Sequence, residues 1–163
     1  LQRLLLSIKA ELDNVTNLVP STEDFEYFFG VVKCTSCNEP HPRIVTLNRL
    51  EVHPVSASKD NTAHFVWKCG LCKRESSAKF ETSSPPQPYP DTANGQFAPF
   101  IALDCRGLEF TSFDPRGLWK CIGTDSRTLF TEVNFEDGEW EDYDEKAKAP
   151  VSISNIKSKW SRA

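Results

Sequence analysis

The sequence contains no methionine at any position, only three histidines and three tyrosines, and seven glycines in 163 residues. A chain lacking an initiating Met is expected to have been processed or trimmed, so a targeting peptide would not be visible in it. The opening LQRLLLSIKAEL holds charges within its apolar run and no small-residue cleavage site, and does not read as a signal peptide. Apolar runs stay well below the roughly 18–20 residues of a membrane helix, so no membrane association is expected. Surplus positive charge is missing as well. With 19 basic and 23 acidic side chains the net charge is −4, which argues against a general polyphosphate or DNA binder built on clustered Lys and Arg. Apolar material is present in quantity. Hydrophobic residues make up 39%, including eleven Phe and four Trp, enough for a core and too much for wholesale disorder. The length fits one compact domain or two small halves.

Most segments read as strands. Phe25–Lys33, Ile44–Val52, His64–Lys68, Phe97–Cys105 and Val151–Ile156 are dense in aromatic and β-branched residues. The first dozen residues fit two patterns. Leu1, Leu4, Leu5, Ile8 and Leu12 share a helix face, whereas Leu4, Leu6, Ile8, Ala10 and Leu12 share a strand face. A shift of 95 positions decides between them, carrying Leu6, Ile8 and Ala10 onto Ile101, Leu103 and Cys105. The same shift carries Val15-Thr-Asn-Leu18 onto Phe110-Thr-Ser-Phe113 and Pro20 onto Pro115. Gly107 falls inside the second copy, where a helix would lose about 1 kcal/mol relative to Ala. Both copies therefore read as strand, bulge and turn. The match predicts an internal duplication with two related β-rich halves packed on each other, a chance match of two β segments being the competing explanation. Between the copies, Ser83–Pro99 holds five of the eleven prolines and reads as an exposed, partly extended connector. The boundary lies near residue 90, giving halves at 1–90 and 91–163 within one compact unit.

Chemistry concentrates in Cys34-Thr-Ser-Cys37 and Cys69-Gly-Leu-Cys72. A Cys-x-x-Cys turn brings two sulfurs to one side with backbone amides placed to donate to them, and two such turns supply a tetrahedron suited to Zn²⁺. Each pair follows a strand-like run ending in Lys33 or Lys68, and each is followed by a polar segment, Asn38-Glu-Pro40 or Lys73-Arg-Glu75. These are the marks of knuckles at hairpin tips. Lys33, Lys68, Lys73 and Arg74 are placed to offset the net charge of four thiolates around one zinc. The 31 residues between the pairs exceed the usual 15–20 of a compact ribbon, and strands Ile44–Val52 and His64–Lys68 with a polar loop at Pro54–Thr62 account for the excess. Two disulfides in an oxidising compartment and catalytic dithiols are the competing readings. The dithiol reading needs a thiolate at a helix N-terminus, and neither pair precedes a convincing helix. A hydrolytic zinc needs an open coordination position, which four cysteines do not leave.

Six cysteines thus divide into four and two. Cys105 takes the repeat position of Ala10 and reads as a small buried hydrophobe. Cys121 follows Trp119-Lys120 as Cys69 follows Trp67-Lys68, but Thr124 stands where the second Cys would be, so Cys121 reads as a free thiol. His41 and His64 flank the pairs and read as ordinary surface or supporting histidines rather than ligands. The sequon Asn14-Val-Thr16 overlaps the repeated turn and reads as structural. No Ser/His/Asp set, phosphate-cradling loop or paired-carboxylate pattern has local support. Glu132–Glu145 carries eight carboxylates and no basic residue, leaving +4 on the rest of the chain and +3 on Lys33–Glu81. It reads as a solvated loop pinned by Phe135, Trp140 and Tyr143, with a docking surface as the sharper alternative.

Together these residues resemble the eukaryotic CXXC-motif-containing zinc-binding protein family, long catalogued as a domain of unknown function. The resemblance rests on Leu6–Leu18, Lys33-Cys-x-x-Cys37, Lys68-Cys-x-x-Cys-Lys-Arg-Glu75, Asp104-Cys-Arg-Gly-Leu-Glu109 and Trp140–Ala147, and covers nearly the whole chain. It implies a soluble, intracellular, mainly β protein with halves related by a pseudo-dyad, one zinc on Cys34, Cys37, Cys69 and Cys72, and no established enzymatic activity. The connector and the stretch Gly117–Asp125 depart from the family pattern, so the resemblance implies nothing for Cys121.

The expectation is a mainly β, non-enzymatic, monomeric protein with one structural Zn²⁺ in its first half, acting as an adaptor for a protein partner. Its expected setting is cytoplasmic, with the nucleus as a second compartment. A metal-handling or thiol-redox protein is one alternative, and nucleic-acid binding through the basic zinc half is another.

Overall fold

The computed structural model describes residues 2–30, 32–56, 58–81 and 83–163. Leu1, Val31 of the Phe25–Lys33 run and Ala57 of the Pro54–Thr62 loop lie outside the described residues. In chain order the strands are β1 (Gln2–Asp13), β2 (Val15–Pro20), β3 (Glu26–Phe29), β4 (Val32–Cys34) and β5 (Val45–Asn48). Then come β6 (His53–Val55), β7 (Ser58–Ala63), β8 (Phe65–Lys68), β9 (Glu75–Phe80) and β10 (Ala98–Arg106). The last five are β11 (Leu108–Phe110), β12 (Trp119–Gly123), β13 (Leu129–Val133), β14 (Trp140–Asp144) and β15 (Ala149–Arg162). A 3₁₀ turn at Asp91–Ala93 is the one described helical element. The protein is mainly β.

The opening segment is a strand because its apolar residues repeat every two positions. Leu4, Leu6, Ile8, Ala10 and Leu12 are all buried, while Arg3, Glu11 and Asp13 are exposed. β1 lies inside a six-stranded sheet of order β14-β15-β1-β10-β9-β8, antiparallel at every pair. Smaller sheets pair β13-β12-β2, β11-β4, β3-β5 and β6-β7. Two of these pairings cross the connector: β4 lies against β11, and β12 against β2. The core gathers where the sheets face each other. Trp119 sits there, 1% exposed, with Phe25 and Phe100 both at 5.4 Å between ring centroids. Phe29 meets Phe110 at 4.6 Å and Trp160 at 5.4 Å.

Several boundaries differ from the sequence reading. The run Phe25–Lys33 is two strands broken at Gly30, and Ile44–Val52 pairs only over Val45–Asn48. Asn48 ends that strand, its Oδ1 accepting from Leu50 N at 2.9 Å and its Nδ2 donating to the Asp24 carbonyl at 3.0 Å. The polar loop at Pro54–Thr62 is instead part of the β6–β7 hairpin, closed by His53 opposite Ala63. The connector is not exposed throughout, because Tyr89 is completely buried. Its backbone exchanges both hydrogen bonds with Leu18, and its hydroxyl lies 2.5–3.2 Å from the carbonyls of Ala10, Ala93 and Gln96. Asn94 adds a bond to each backbone group of Leu12. One aromatic ring and one amide thus staple a proline-rich segment to β1 and β2.

The acidic segment is also ordered. It comprises the end of β13, a turn and β14. Phe135 packs on Trp119 at 6.0 Å and Trp140 on Phe130 at 5.4 Å, but Tyr143 is 51% exposed and pins nothing. Asp144, within this run of carboxylates, is buried. Among the described residues no helix is long and apolar enough to cross a membrane.

Candidate metal centre

The two Cys-x-x-Cys turns meet. β4 delivers Cys34 and β8 leads directly into Cys69, and each turn reverses the chain through one left-handed residue, Asn38 (φ 63) or Lys73 (φ 66). The Cys34 N–H bonds to the Glu39 carbonyl at 3.0 Å and the Cys69 N–H to that of Arg74 at 2.9 Å. This geometry frees the amides inside each turn to point at sulfur. Cys34 and Cys69 are buried, and Cys37 and Cys72 partly so.

All four sulfurs lie within 4.8 Å of one another. Cys34 Sγ is 3.6 Å from Cys72 Sγ, and Cys37 Sγ is 3.6 Å from Cys69 Sγ. Zn–S bonds of about 2.3 Å in a tetrahedron place sulfurs about 3.8 Å apart, so the cluster has the size of a Cys₄ zinc site. A disulfide needs about 2.05 Å, and all six cysteines are free thiols. Neither turn opens a helix, the element that the catalytic-dithiol reading calls for.

The backbone charges the cluster unevenly. Amides of Cys37 and Ser36 draw the Cys34 thiol down to about 7 against the opposing effect of burial. The amides of Cys72 and Leu71 likewise lower Cys69. At Cys37 the Glu39 amide favours the thiolate, but burial and the neighbouring sulfurs outweigh it and push the thiol up to about 12. Four sulfurs this close cannot all ionise unaided, and a divalent cation removes that conflict. The donor set therefore fits Zn²⁺ in chemistry as well as in size.

Of the expected cations, Arg74 joins the two turns through Nη1 to Ser36 Oγ at 3.1 Å, while Lys73 Nζ binds the Gly70 carbonyl at 2.8 Å within its own turn. The Arg74–Ser36 tie was not legible from spacing, since both are ordinary polar residues of loops. His41 and His64 stand apart from the sulfurs. His41 lies edge-on to Trp67 at 5.1 Å. His64 is buried, with Nδ1 taking the Phe80 N–H at 3.0 Å and Nε2 donating to the Arg49 carbonyl at 3.1 Å. Burial lowers its pKa, so it serves as a neutral link between β9 and the loop after β5.

Cys105 and Cys121 are buried on β10 and β12. Burial pushes both thiols up to about 12, which suits small core residues and not reactive ones. Cys121 is a free thiol, and no turn begins at it. Cys121 stays within β12, and the turn that follows starts at Gly123, whose N–H bonds to the Thr128 carbonyl at 2.8 Å. Asn14 and Thr16 of the sequon serve the fold, Asn14 Nδ2 donating to the Pro150 carbonyl and Thr16 Oγ1 to Asp91.

Comparisons with known proteins agree with this geometry. The model of the family described as "CXXC motif containing zinc binding protein, eukaryotic" matches residues 5–161. A UPF0587 protein of Schizosaccharomyces pombe is 37% identical over 161 residues, 99% of each chain. The CXXC motif containing zinc binding protein of Homo sapiens is 34% identical over 154 residues, 94% of each. The crystal structure of C1orf123 superposes with a TM-score of 0.91 at 32% identity over 99% of both chains. A hypothetical protein from Plasmodium falciparum, 23% identical, shares the fold with a TM-score of 0.86 over 99% of this chain and all of that one. Family model, curated relatives and solved structures converge, and the chain belongs to the eukaryotic family of CXXC motif containing zinc binding proteins.

Proposed function

We propose that Cys34, Cys37, Cys69 and Cys72 hold one Zn²⁺ as a structural ion, and that the protein is a non-enzymatic adaptor for another protein. The observation that carries the metal reading is the convergence of four sulfurs from two separate turns within 4.8 Å. Four thiolates complete the coordination of zinc and leave no position for water or substrate. The ion ties β4, which pairs with β11 beyond the connector, to the β8–β9 end of the six-stranded sheet. Its work is to hold two sheets in one relation.

An adaptor role calls for surface that a partner can use. A groove of about 730 Å³ is lined by Val19, Tyr27, Arg49, Leu50, Pro85 and Lys120, among others. Large apolar side chains are exposed in the zinc-bearing half: Leu71 at the tip of the second turn (65%), Leu50 (61%) and Val52 (55%). Such groups serve association better than chemistry.

Metal analysis of the purified protein should find one zinc per chain, resistant to mild chelators, and a strong chelator should unfold the first half. Ready loss of zinc with the fold intact would overturn the structural role in favour of metal handling. Affinity purification, with Glu132–Glu145 intact or charge-neutralised, tests the adaptor reading, and recovery of no partner above background would remove it.

A further inference from the structure

The chain makes the same turn more than twice. At the cysteine turns, the first residue's N–H bonds five residues ahead, and the fifth residue's N–H returns to the first carbonyl: Asn38 N to Cys34 O at 2.8 Å and Lys73 N to Cys69 O at 3.0 Å. Gly123 repeats both bonds, its N–H to Thr128 O at 2.8 Å and Arg127 N to Gly123 O at 3.0 Å. Arg127 has the matching left-handed φ of 60. The turn at Asp144 repeats the register, Asp144 opposite Ala149, and the left-handed fifth residue, Lys148 (φ 53). In these turns Gly123 and Ser126 take the places of Cys34 and Cys37, and Asp144 and Ala147 those of Cys69 and Cys72.

Side chains repeat the pattern. Cys69 Sγ takes the amides of Leu71 and Cys72, and Asp144 Oδ1 takes those of Lys146 and Ala147, both at 3.1 Å. Cys37 Sγ takes the Glu39 amide, and Ser126 Oγ takes that of Thr128 at 3.1 Å. The entries are reciprocal too. Thr35 N bonds to Gly107 O and Thr124 N to Asn14 O, both at 3.0 Å, and Gly107 and Asn14 are both left-handed. These two turn residues stand 93 positions apart, so the correspondence here is two short of the shift of 95 found in the strands. Across the second pair of turns, Ser126 Oγ–H donates to Asp144 Oδ2 and Thr128 Oγ1–H to Oδ1. Gly123 lacks a left-handed φ, so its backbone does not require glycine. Space does: a Cβ there would lie 2.5 Å from Asp144 Oδ2 and 2.7 Å from Ser126 Oγ.

We propose that Gly123, Ser126, Asp144 and Ala147 form a second knuckle pair, the counterpart of the cysteine pair, with the Asp144 carboxylate at its centre in place of thiolates and ion. The proposal rests on the reading of the cysteine turns as zinc knuckles. Donors converge on the carboxylate, so this centre joins its turns by hydrogen bonds and has no use for a cation. One half then answers to chelators and thiol oxidants, while the other does not.

The test restores the thiolates. A variant carrying G123C, S126C, D144C and A147C should hold two zinc ions per chain against one in the wild type, and its Co²⁺ form should show twice the thiolate charge-transfer absorbance. A folded variant holding one zinc overturns the proposal, whereas a wild type holding none overturns the zinc reading beneath it. Should the variant not fold, a mutant cycle decides. G123A should lower the folding equilibrium constant about tenfold in the wild type, by overpacking. In an S126A/D144A background, where the atoms it meets are gone, the loss should be much smaller. An equal loss in both backgrounds overturns the proposal.

Discussion

At the scale of single residues, a buried side chain at the head of a turn survives according to what its two main-chain N–H groups and its neighbours do with its charge. Cys34 receives amides from Ser36 and Cys37 but shares its cage with three other sulfurs, so it needs a cation. Replacing Cys34 or Cys69 by Ser should abolish stoichiometric zinc in metal analysis. The affinity loss should exceed the ~10–100-fold typical of removing an outer support of a ligand. Asp144 receives comparable amides and two hydroxyls. The Ser126 hydroxyl first, then the Ala147 amide, hold its carboxyl below the usual carboxylate range despite burial. Because the folded pKa lies below the unfolded value of about 3.9, its contribution to stability is complete above that value. It disappears as pH falls through the folded pKa. In denaturant titrations the stability gap between wild type and D144N should be flat above about pH 5 and should narrow below about pH 4. A gap that does not narrow would remove this assignment.

At the scale of elements, pairing decides more than propensity. β1 is an apolar strand with neighbours on both sides, β10 and β15, and its alternation, repeated 95 positions on at Ile101, Leu103 and Cys105, marks it. Leu6 is fully buried there, and Leu6→Ala should cost about 2–5 kcal/mol in chemical unfolding. β9 and β14 escaped the sequence reading because residues such as Glu75-Ser-Ser-Ala-Lys79 and Glu141-Asp-Tyr-Asp144 have weak strand preference, and β12 and β13 escaped it despite Trp119, Ile122, Phe130 and Val133. They are strands because β10, β2 and β15 offer them edges. Trp119 of β12 shows what such a strand can still bury. Its ring fills the space among Phe25, Phe100 and Phe135, and Trp119→Ala should cost about 3–5 kcal/mol, read as a drop in denaturation midpoint with the slope unchanged.

At the scale of the molecule, β1–β10, β1–β15 and β9–β10 in the large sheet, with β4–β11 and β12–β2 beside it, lock the chain before the connector to the chain after it. β4 and β12 each run into a turn, one belonging to the cysteine cluster and the other surrounding Asp144. A strong chelator should therefore release the amides of Val32–Cys34 and Phe65–Lys68 to hydrogen exchange first. Protection at Trp119–Gly123 and Val151–Ile153 should outlast it. Simultaneous loss in both regions would show that zinc stabilises the whole chain rather than its own half.

The sequence alone determined the mainly β class, the strand at the N-terminus and the four cysteines that meet. The cysteines rest on a short-range rule, the Cys-x-x-Cys spacing that puts two sulfurs on one side of a turn, and the strand on alternation in Leu4–Leu12 that recurs 95 positions on. What it left open was anything set by a distant partner. Tyr89 gave no sign that three carbonyls await its hydroxyl, and the acidic run hid Asp144 among carboxylates that face water. Nothing in the spacing around Cys121 showed that bulged pairing of β12 with β13 and β2 carries the turn to Gly123. Only the tertiary structure decides such cases, because burial and hydrogen-bond partners come from chain segments tens of residues away, where local spacing carries no information. The scarcity of histidine, met first as an absence, proves consistent with a centre built from sulfur alone.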